Sequence, residues 1–133
     1  MPRSSLFRNS SLTASQLEMI ALYVSALNSC DHCRTMHSAE MDGRGESRLA
    51  AALKAQDLAG APVTPAERLL LEFAGTLTRH AYRVTDKTVE GLRAAGWTDE
   101  QIGEAAFVAA FMNMVVRVVD GIGFRPRQID HHP

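Results

Sequence analysis

Cys30 and Cys33 stand three residues apart and are the only two cysteines in the 133-residue chain. His37 follows four residues after the second, and Glu18 precedes the first by twelve. Read as helix, Cys30 and Cys33 are i,i+3 neighbours and Cys33 and His37 are i,i+4 neighbours, so all three share one face. Two thiols within a turn can close a reducible disulfide, and a nearby imidazole can take or return a proton. The chemistry on offer is redox chemistry. His32, between the cysteines, points about 100° away from Cys33 on a helix. It is either an auxiliary group at the site or a polar residue at the helix surface or a subunit contact.

The elements that must position these groups are helical. Thr13 and Gln16 have the spacing of a capping box. Leu17, Ile20, Val24 and Leu27 then form one apolar stripe, widened by Met19 and Tyr23. Asn28 and Ser29 are corner and cap residues that end this helix and begin a second over 29–41. If the two helices fold back on each other, residues equidistant from the corner come level. Glu18 and His37 each lie about 14 Å from it, at ~1.5 Å rise per residue. Glu18 is therefore expected to meet His37 and orient its ring. The same rule sets Cys33 opposite Leu22 or Tyr23, an apolar wall for the thiols.

Gly43 and Gly45 stop the second helix, and a short third one is expected near 46–56, with Leu49 and Leu53 inward and Gly60 near its end. Thr64, Pro65 and Glu67 supply an N-cap, a proline at the first position and a glutamate at the third. The helix they open carries Leu70, Phe73, Ala74 and Leu77 and is expected to end near Tyr82. Thr85 opens another with Val89 and Leu92, closed by Gly96. Thr98 and Gln101 form a third capping box. The last helix runs from Asp99 to about Asp120 and is apolar nearly all round from Ala105 to Val116. That run is shorter than the ~20 residues of a membrane span, so the helix is expected in the core or against another subunit. Asn113 within it must find hydrogen-bond partners. Arg117 and Asp120 are expected to form an ion pair or an inter-subunit contact. His80, His131 and His132 have no evident partners.

No segment alternates with strand period. The expectation is an all-α, single-domain bundle of about six helices over residues 12–124. An N-terminal arm, 1–11, precedes it, with Leu6 and Phe7 as the candidate anchor, and a tail, 125–133, follows. A chain of this length buries about two thirds of the surface its unfolded form exposes. The composition, 46% hydrophobic and 22% charged, is that of a globular domain. A net charge of −1 with both signs scattered gives no footprint for nucleic acid. The N-terminus has no apolar core of signal-peptide length, and the expected location is the cytoplasm.

Two cysteines do not make a secreted disulfide scaffold; their close spacing points to metal or to catalysis. Zinc on Cys30, Cys33, His37 and Glu18 is the weaker choice, because structural zinc cysteines sit on turns and no second Cys/His pair is present. Haem attachment needs histidine directly after the second cysteine, where Arg34 stands. A thioredoxin-like motif needs a preceding strand, and helix precedes here. No metal or cofactor is expected. The plain structural alternative is two inert buried cysteines beside a satisfied histidine.

The pattern Glu18-x11-Cys30-x2-Cys33-x3-His37, with His32 inside it, resembles the signature of the alkyl hydroperoxidase D-like (AhpD-like), peroxidase-related branch of the carboxymuconolactone decarboxylase superfamily. Leu92 to Ile102, followed by an apolar helix with Arg117 and Asp120, is similar to that branch too. The resemblance covers roughly residues 12 to 124. It implies an AhpD-like helical fold and a thiol peroxidase of antioxidant defence, acting on hydroperoxides. It implies Cys33 as the peroxidatic thiol, Cys30 as the resolving thiol and proton donor, and Glu18 with His37 as the proton relay. It also implies a thiol reductant, such as a lipoyl adaptor or thioredoxin-like protein, and assembly as a trimer or hexamer. The residues themselves leave the attacking thiol open. A helix N-terminus favours thiolate at Cys30, whereas His37 favours it at Cys33. Related sequences often carry a second asparagine just before the arginine; Val116 stands there. Two other functions remain: a non-enzymatic redox switch or interaction protein, and a decarboxylase-type lyase, a branch that by resemblance does not depend on a Cys-x-x-Cys pair.

Overall fold

The computed structural model describes residues 9–123. Among them six α-helices follow in order: α1 (Ala14–Leu27), α2 (Asp31–Gly43), α3 (Ser47–Lys54), α4 (Pro65–His80), α5 (Asp86–Ala94) and α6 (Asp99–Gly121). A single 3-10 turn, Ala81–Arg83, follows α4, and no strand occurs among the described residues. The fold is all-α, as the periodicity predicts.

Threonines set the helix starts. Thr13, Thr64 and Thr98 each accept from the backbone N–H three residues on, and Gln16, Glu67 and Gln101 return a side-chain bond to the threonine N–H. Each such cap is worth about 1 kcal/mol. Thr85 and Thr88 close a further box at α5. α2 and α3 differ from expectation at their ends. The first residue of α2 is Asp31, so Cys30 and not Ser29 is its N-cap. α3 stops at Lys54, because Gln56 turns into the left-handed region (φ 59°).

The ends of α1, α2, α3 and α5 share one construction. At Ser29, Gly45, Gln56 and Gly96 the backbone has positive φ. In each case the N–H of that residue and of the next reach back to carbonyls of the preceding helix, the Schellman arrangement. For α1 the bonds are Ser29 N–H to Ala26 O at 3.0 Å and Cys30 N–H to Ser25 O at 3.1 Å. Gln56 adds a side-chain bond to Ala26 O at 3.1 Å. Cys30 is thus the last residue of one helix's stop signal and the first of the next helix's start.

α1 is the central element, packed against α2, α3, α4 and α6. Leu22, Val24 and Ala26 have no exposed surface. Met41, Leu53, Leu70 and Ala109 bring the neighbouring helices onto it as one apolar core. α6 lays Ile102, Ala105, Val108, Ala109, Met112 and Val116 inward. Its other side exposes Phe107, Met114 and Val118, and Ile122 follows just past its end. By length and composition α6 is apolar enough to cross a membrane. That corrects the shorter estimate from Ala105–Val116, since Val118 and Val119 extend the run; in this fold its inner face closes the core.

The segment before α1 is tied down more firmly than a polar arm predicts. Glu104 on α6 accepts from the Ser10 hydroxyl and from the N–H groups of Ser11 (2.9 Å) and Leu12 (3.2 Å). Leu12 is buried there. Leu6, Phe7 and the tail with His131 and His132 lie outside the described residues.

Candidate functional site

Cys30 and Cys33 form a disulfide, with their Cα atoms 5.3 Å apart. Cys30 is 1% exposed and Cys33 4%. Cys30 is the N-cap of α2 and makes no side-chain capping hydrogen bond. Cys33 is the third helical residue. These are the two positions that threonine and glutamine or glutamate occupy in the capping boxes of α1, α4 and α6. Here a covalent link joins them in place of two hydrogen bonds.

His37 lies one turn beyond Cys33 on α2, and its Nδ1 is 2.8 Å from Glu18 Oε2 on α1. An ionised carboxylate can only accept, so the imidazole N–H donates and Nε2 becomes the ring's other working nitrogen. Both side chains are 24% exposed, half-sheltered between the two helices. The equal spacing of Glu18 and His37 from the α1–α2 corner brings them level, as expected. His32 is half-buried in the first turn of α2.

The apolar wall comes from a different helix than expected. Cys30 and Cys33 cluster with Val116, and Val119 packs against them, both from the C-terminal half of α6. Leu22 and Tyr23 belong instead to the main core, and Tyr23 has its ring against Gly75 of α4. Equidistance from a corner fixes height along two helices but not rotation about their axes. α1 turns these side chains towards the centre of the bundle, leaving α6 to cover the disulfide. Val116 is a direct neighbour of the cysteine pair.

Asn113 finds the partners a sheltered amide requires, on α4, on α6 itself and at the corner that follows α1. Its Oδ1 accepts from Asn28 Nδ2 at 3.0 Å and from Arg117 Nη1 at 3.0 Å. Its Nδ2 donates to Thr78 Oγ1 at 3.0 Å and to Ala109 O at 2.8 Å. Arg117 also donates to Asn113 O at 3.0 Å. No Arg117–Asp120 ion pair is present among the described residues; the arginine turns back along the helix to the amide and carbonyl one turn earlier. His80 packs edge-on to Tyr82, which Arg83 also covers.

The four residues named for zinc do not gather into a metal-binding group among the described residues. The two sulfurs are bonded to each other and the carboxylate is taken by the imidazole. The arrangement is a dithiol–disulfide pair with a hydrogen-bonded Glu–His couple one turn away.

The sequence model of the carboxymuconolactone decarboxylase family matches residues 3–72. Among solved structures, the chain is similar to an uncharacterized peroxidase-related protein from Silicibacter sp. TM1040. The two are 32% identical with a TM-score of 0.82, over 90% of this chain and 62% of that one. It is similar to a peroxidase-related protein from Ralstonia eutropha JMP134, described as an alkylhydroperoxidase AhpD core. That pair is 29% identical with a TM-score of 0.83, over 92% of this chain and 64% of that one. A protein of unknown function from Agrobacterium tumefaciens, proposed to be an antioxidant defence protein AhpD, is 25% identical with a TM-score of 0.74. The match covers 89% of this chain and 82% of that one. The chain thus spans less than two thirds of the length of the first two. No curated protein matches it. With more than half of its length under the family's sequence model and an AhpD core fold around its cysteine pair, the chain belongs to the carboxymuconolactone decarboxylase family, in its AhpD-like branch.

Proposed function

We propose that the chain is a thiol-dependent peroxidase that reduces hydroperoxides through Cys30 and Cys33, an alkyl hydroperoxide reductase-like activity serving antioxidant defence in the cytoplasm. The observation that carries this reading is the reducible pair at the start of α2 with the Glu18–His37 hydrogen bond one turn beyond it. The peroxidase-related and AhpD descriptions of the similar structures support it.

In the reduced chain, His37 takes the Cys33 proton through Nε2 while Glu18 holds Nδ1–H. The Cys33 thiolate attacks one oxygen of the hydroperoxide; the O–O bond breaks, leaving Cys33 sulfenic acid and an alkoxide that takes a proton to become an alcohol. Cys30 displaces water from the sulfenic sulfur, and the Cys30–Cys33 bond forms. A dithiol, from a lipoyl adaptor or a thioredoxin-like protein, supplies two electrons and two protons to reopen it. Val116 and Val119 shield the pair, which suits a small, partly apolar peroxide and requires these side chains to yield to the reductant. His32 serves as an auxiliary polar group at the mouth of the site.

Peroxide consumption under excess dithiol tests the reading. Wild type turns over and Cys33→Ser does not. With Cys30→Ser, intact mass shows one added oxygen on Cys33 and no disulfide. Oxidation of Cys33→Ser with an inert Cys30→Ser would reverse the thiol roles. The burial of the pair favours a second reading, a redox switch. Such a chain reacts once per molecule however much reductant is supplied.

A further inference from the structure

We propose that Asn113 is a positioning residue that sets the thiol–disulfide equilibrium of Cys30 and Cys33 by clamping, through Asn28, the corner from which Cys30 projects. The proposal gains its meaning for turnover from the peroxidase reading, but the equilibrium it concerns exists without any peroxide.

The corner has few ways to move. Asn28 is the C-cap of α1, Ser29 is left-handed at φ 54°, and Cys30 is held by its N–H to Ser25 O. Both N–H groups of the Asn28 amide are engaged, one by Val24 O at 2.9 Å and one by Asn113 Oδ1 at 3.0 Å. Asn113 has both donors and both acceptor directions of its own amide engaged, by Asn28, Arg117, Thr78 and Ala109. A saturated amide cannot rotate without breaking a bond that no water replaces cheaply. The network therefore ties the residue two before Cys30 to α4 and α6, the latter being the helix whose Val116 covers the sulfurs.

Oxidation requires Cys30 to stay within disulfide reach of Cys33, and the Cα atoms lie 5.3 Å apart, inside that range. In the disulfide form the bond itself enforces the separation. In the dithiol form the corner does, together with the Arg34 N–H bond to Cys30 O at 2.9 Å that ties Cys30 into the first turn of α2. A clamped corner removes in advance the freedom that closing the bond would otherwise cost, which raises the effective concentration of one thiol at the other. Releasing the clamp lets the reduced chain wander and leaves the oxidised chain nearly unchanged. The equilibrium then moves towards dithiol.

The test equilibrates the full chain with known ratios of reduced and oxidised dithiothreitol, two electrons and two protons passing per disulfide opened. Wild type, Asn28→Ala, Asn113→Ala and the double variant are compared, with helical circular dichroism recorded in both states. The expected shift is about threefold to tenfold towards dithiol in each single variant, or roughly 15 to 30 mV. The double variant should shift no further than the larger single one, as coupled residues do. A merely structural pair would lower the stability of both redox forms alike and leave the constant unmoved. Folded variants within about twofold of wild type, or shifts that multiply in the double variant, would overturn the proposal. If Asn113→Ala fails to fold, Asn28→Ala alone decides, since it removes only the corner's half of the bond. A chain that consumes no peroxide but shows the shift would refute the peroxidase reading and uphold this one.

Discussion

Glu18 Oε2 and His37 Nδ1 lie 2.8 Å apart although nineteen positions separate them, one near the start of α1 and the other midway along α2. Two helices running back from a shared corner make that meeting a matter of counting. The bond fixes which imidazole nitrogen is engaged by the carboxylate and which is left for other partners; under the proposed mechanism Glu18 also supplies the negative charge that offsets the imidazolium.

Glu18→Gln should keep the fold and the hydrogen bond while removing that charge. Under the proposed mechanism, Glu18→Gln and His37→Gln each slow peroxide reduction at pH 7 by about a hundred- to ten-thousand-fold, the usual range for acid–base assistance. The double variant should be hardly slower than either, because the pair acts as one unit. The deficit should shrink above the pKa of an ordinary thiol, about 8.5, where hydroxide supplies thiolate unaided. Stopped-flow rates across pH decide it; losses that multiply, or a gap unchanged in alkali, would sink the relay.

Glu104 gives a pH dependence of stability. Burial pushes its pKa up, but the hydrogen bonds from Ser10, Ser11 and Leu12 outweigh this and hold the carboxyl below its ordinary value. Because the folded pKa is the lower one, the contribution is fully present above the unfolded value and is lost as pH falls through the folded value. Glu104→Gln should cost under ~1 kcal/mol at neutral pH, since the half-buried carboxylate is still partly screened by solvent. Urea melts of the two chains should converge in acid. A gap of equal size at both pH values would show that charge plays no part.

Homo-oligomerisation is expected from the outer side of α6, where Met114 and Val118 are each more than half exposed. Light scattering at micromolar concentration should give a trimer or hexamer. Met114→Glu combined with Val118→Glu should give monomers that keep their helix content, since neither side chain belongs to the core. A monomeric wild type would end this expectation.

Ser29 stands in the left-handed region, which costs a residue with a Cβ on the order of 1 kcal/mol. Ser29→Gly should raise stability by up to about 0.5 kcal/mol after the added freedom of the unfolded glycine is counted. Ser29→Ala should give no such gain. Equal midpoints for the alanine and glycine variants in denaturant titrations would show the backbone to be unstrained.

What could be read from the residues divides by the range of the interaction. The starts of α1, α4, α5 and α6 were legible because a threonine and a partner three residues on settle them locally. Glu18 and His37 were legible because one corner sets both heights. The cover over the thiols was not, because rotation of α1 is decided by α4 and α6 together, and Val116 comes from a helix more than eighty positions later. Arg117 had Asp120 on one side and Asn113 on the other at similar spacing; only the fixed amide, held by Asn28 and Thr78, breaks the tie. The grip of Glu104 on Ser10 to Leu12 spans more than ninety positions and left no local pattern.

The start of α2 keeps a record of electron count. While Cys30 and Cys33 are bonded, the helix's opening turn is a closed loop that cannot fray. Once they part, that turn loses its covalent tie, and no side-chain bond at the N-cap replaces it. The amide proton of Arg34, bonded to Cys30 O at 2.9 Å, should then trade with solvent deuterium faster in the dithiol chain than in the disulfide chain, while those of α4 and α6, capped by threonine, keep one pace in both. Helix fraying becomes a substrate-free gauge of the chain's redox history.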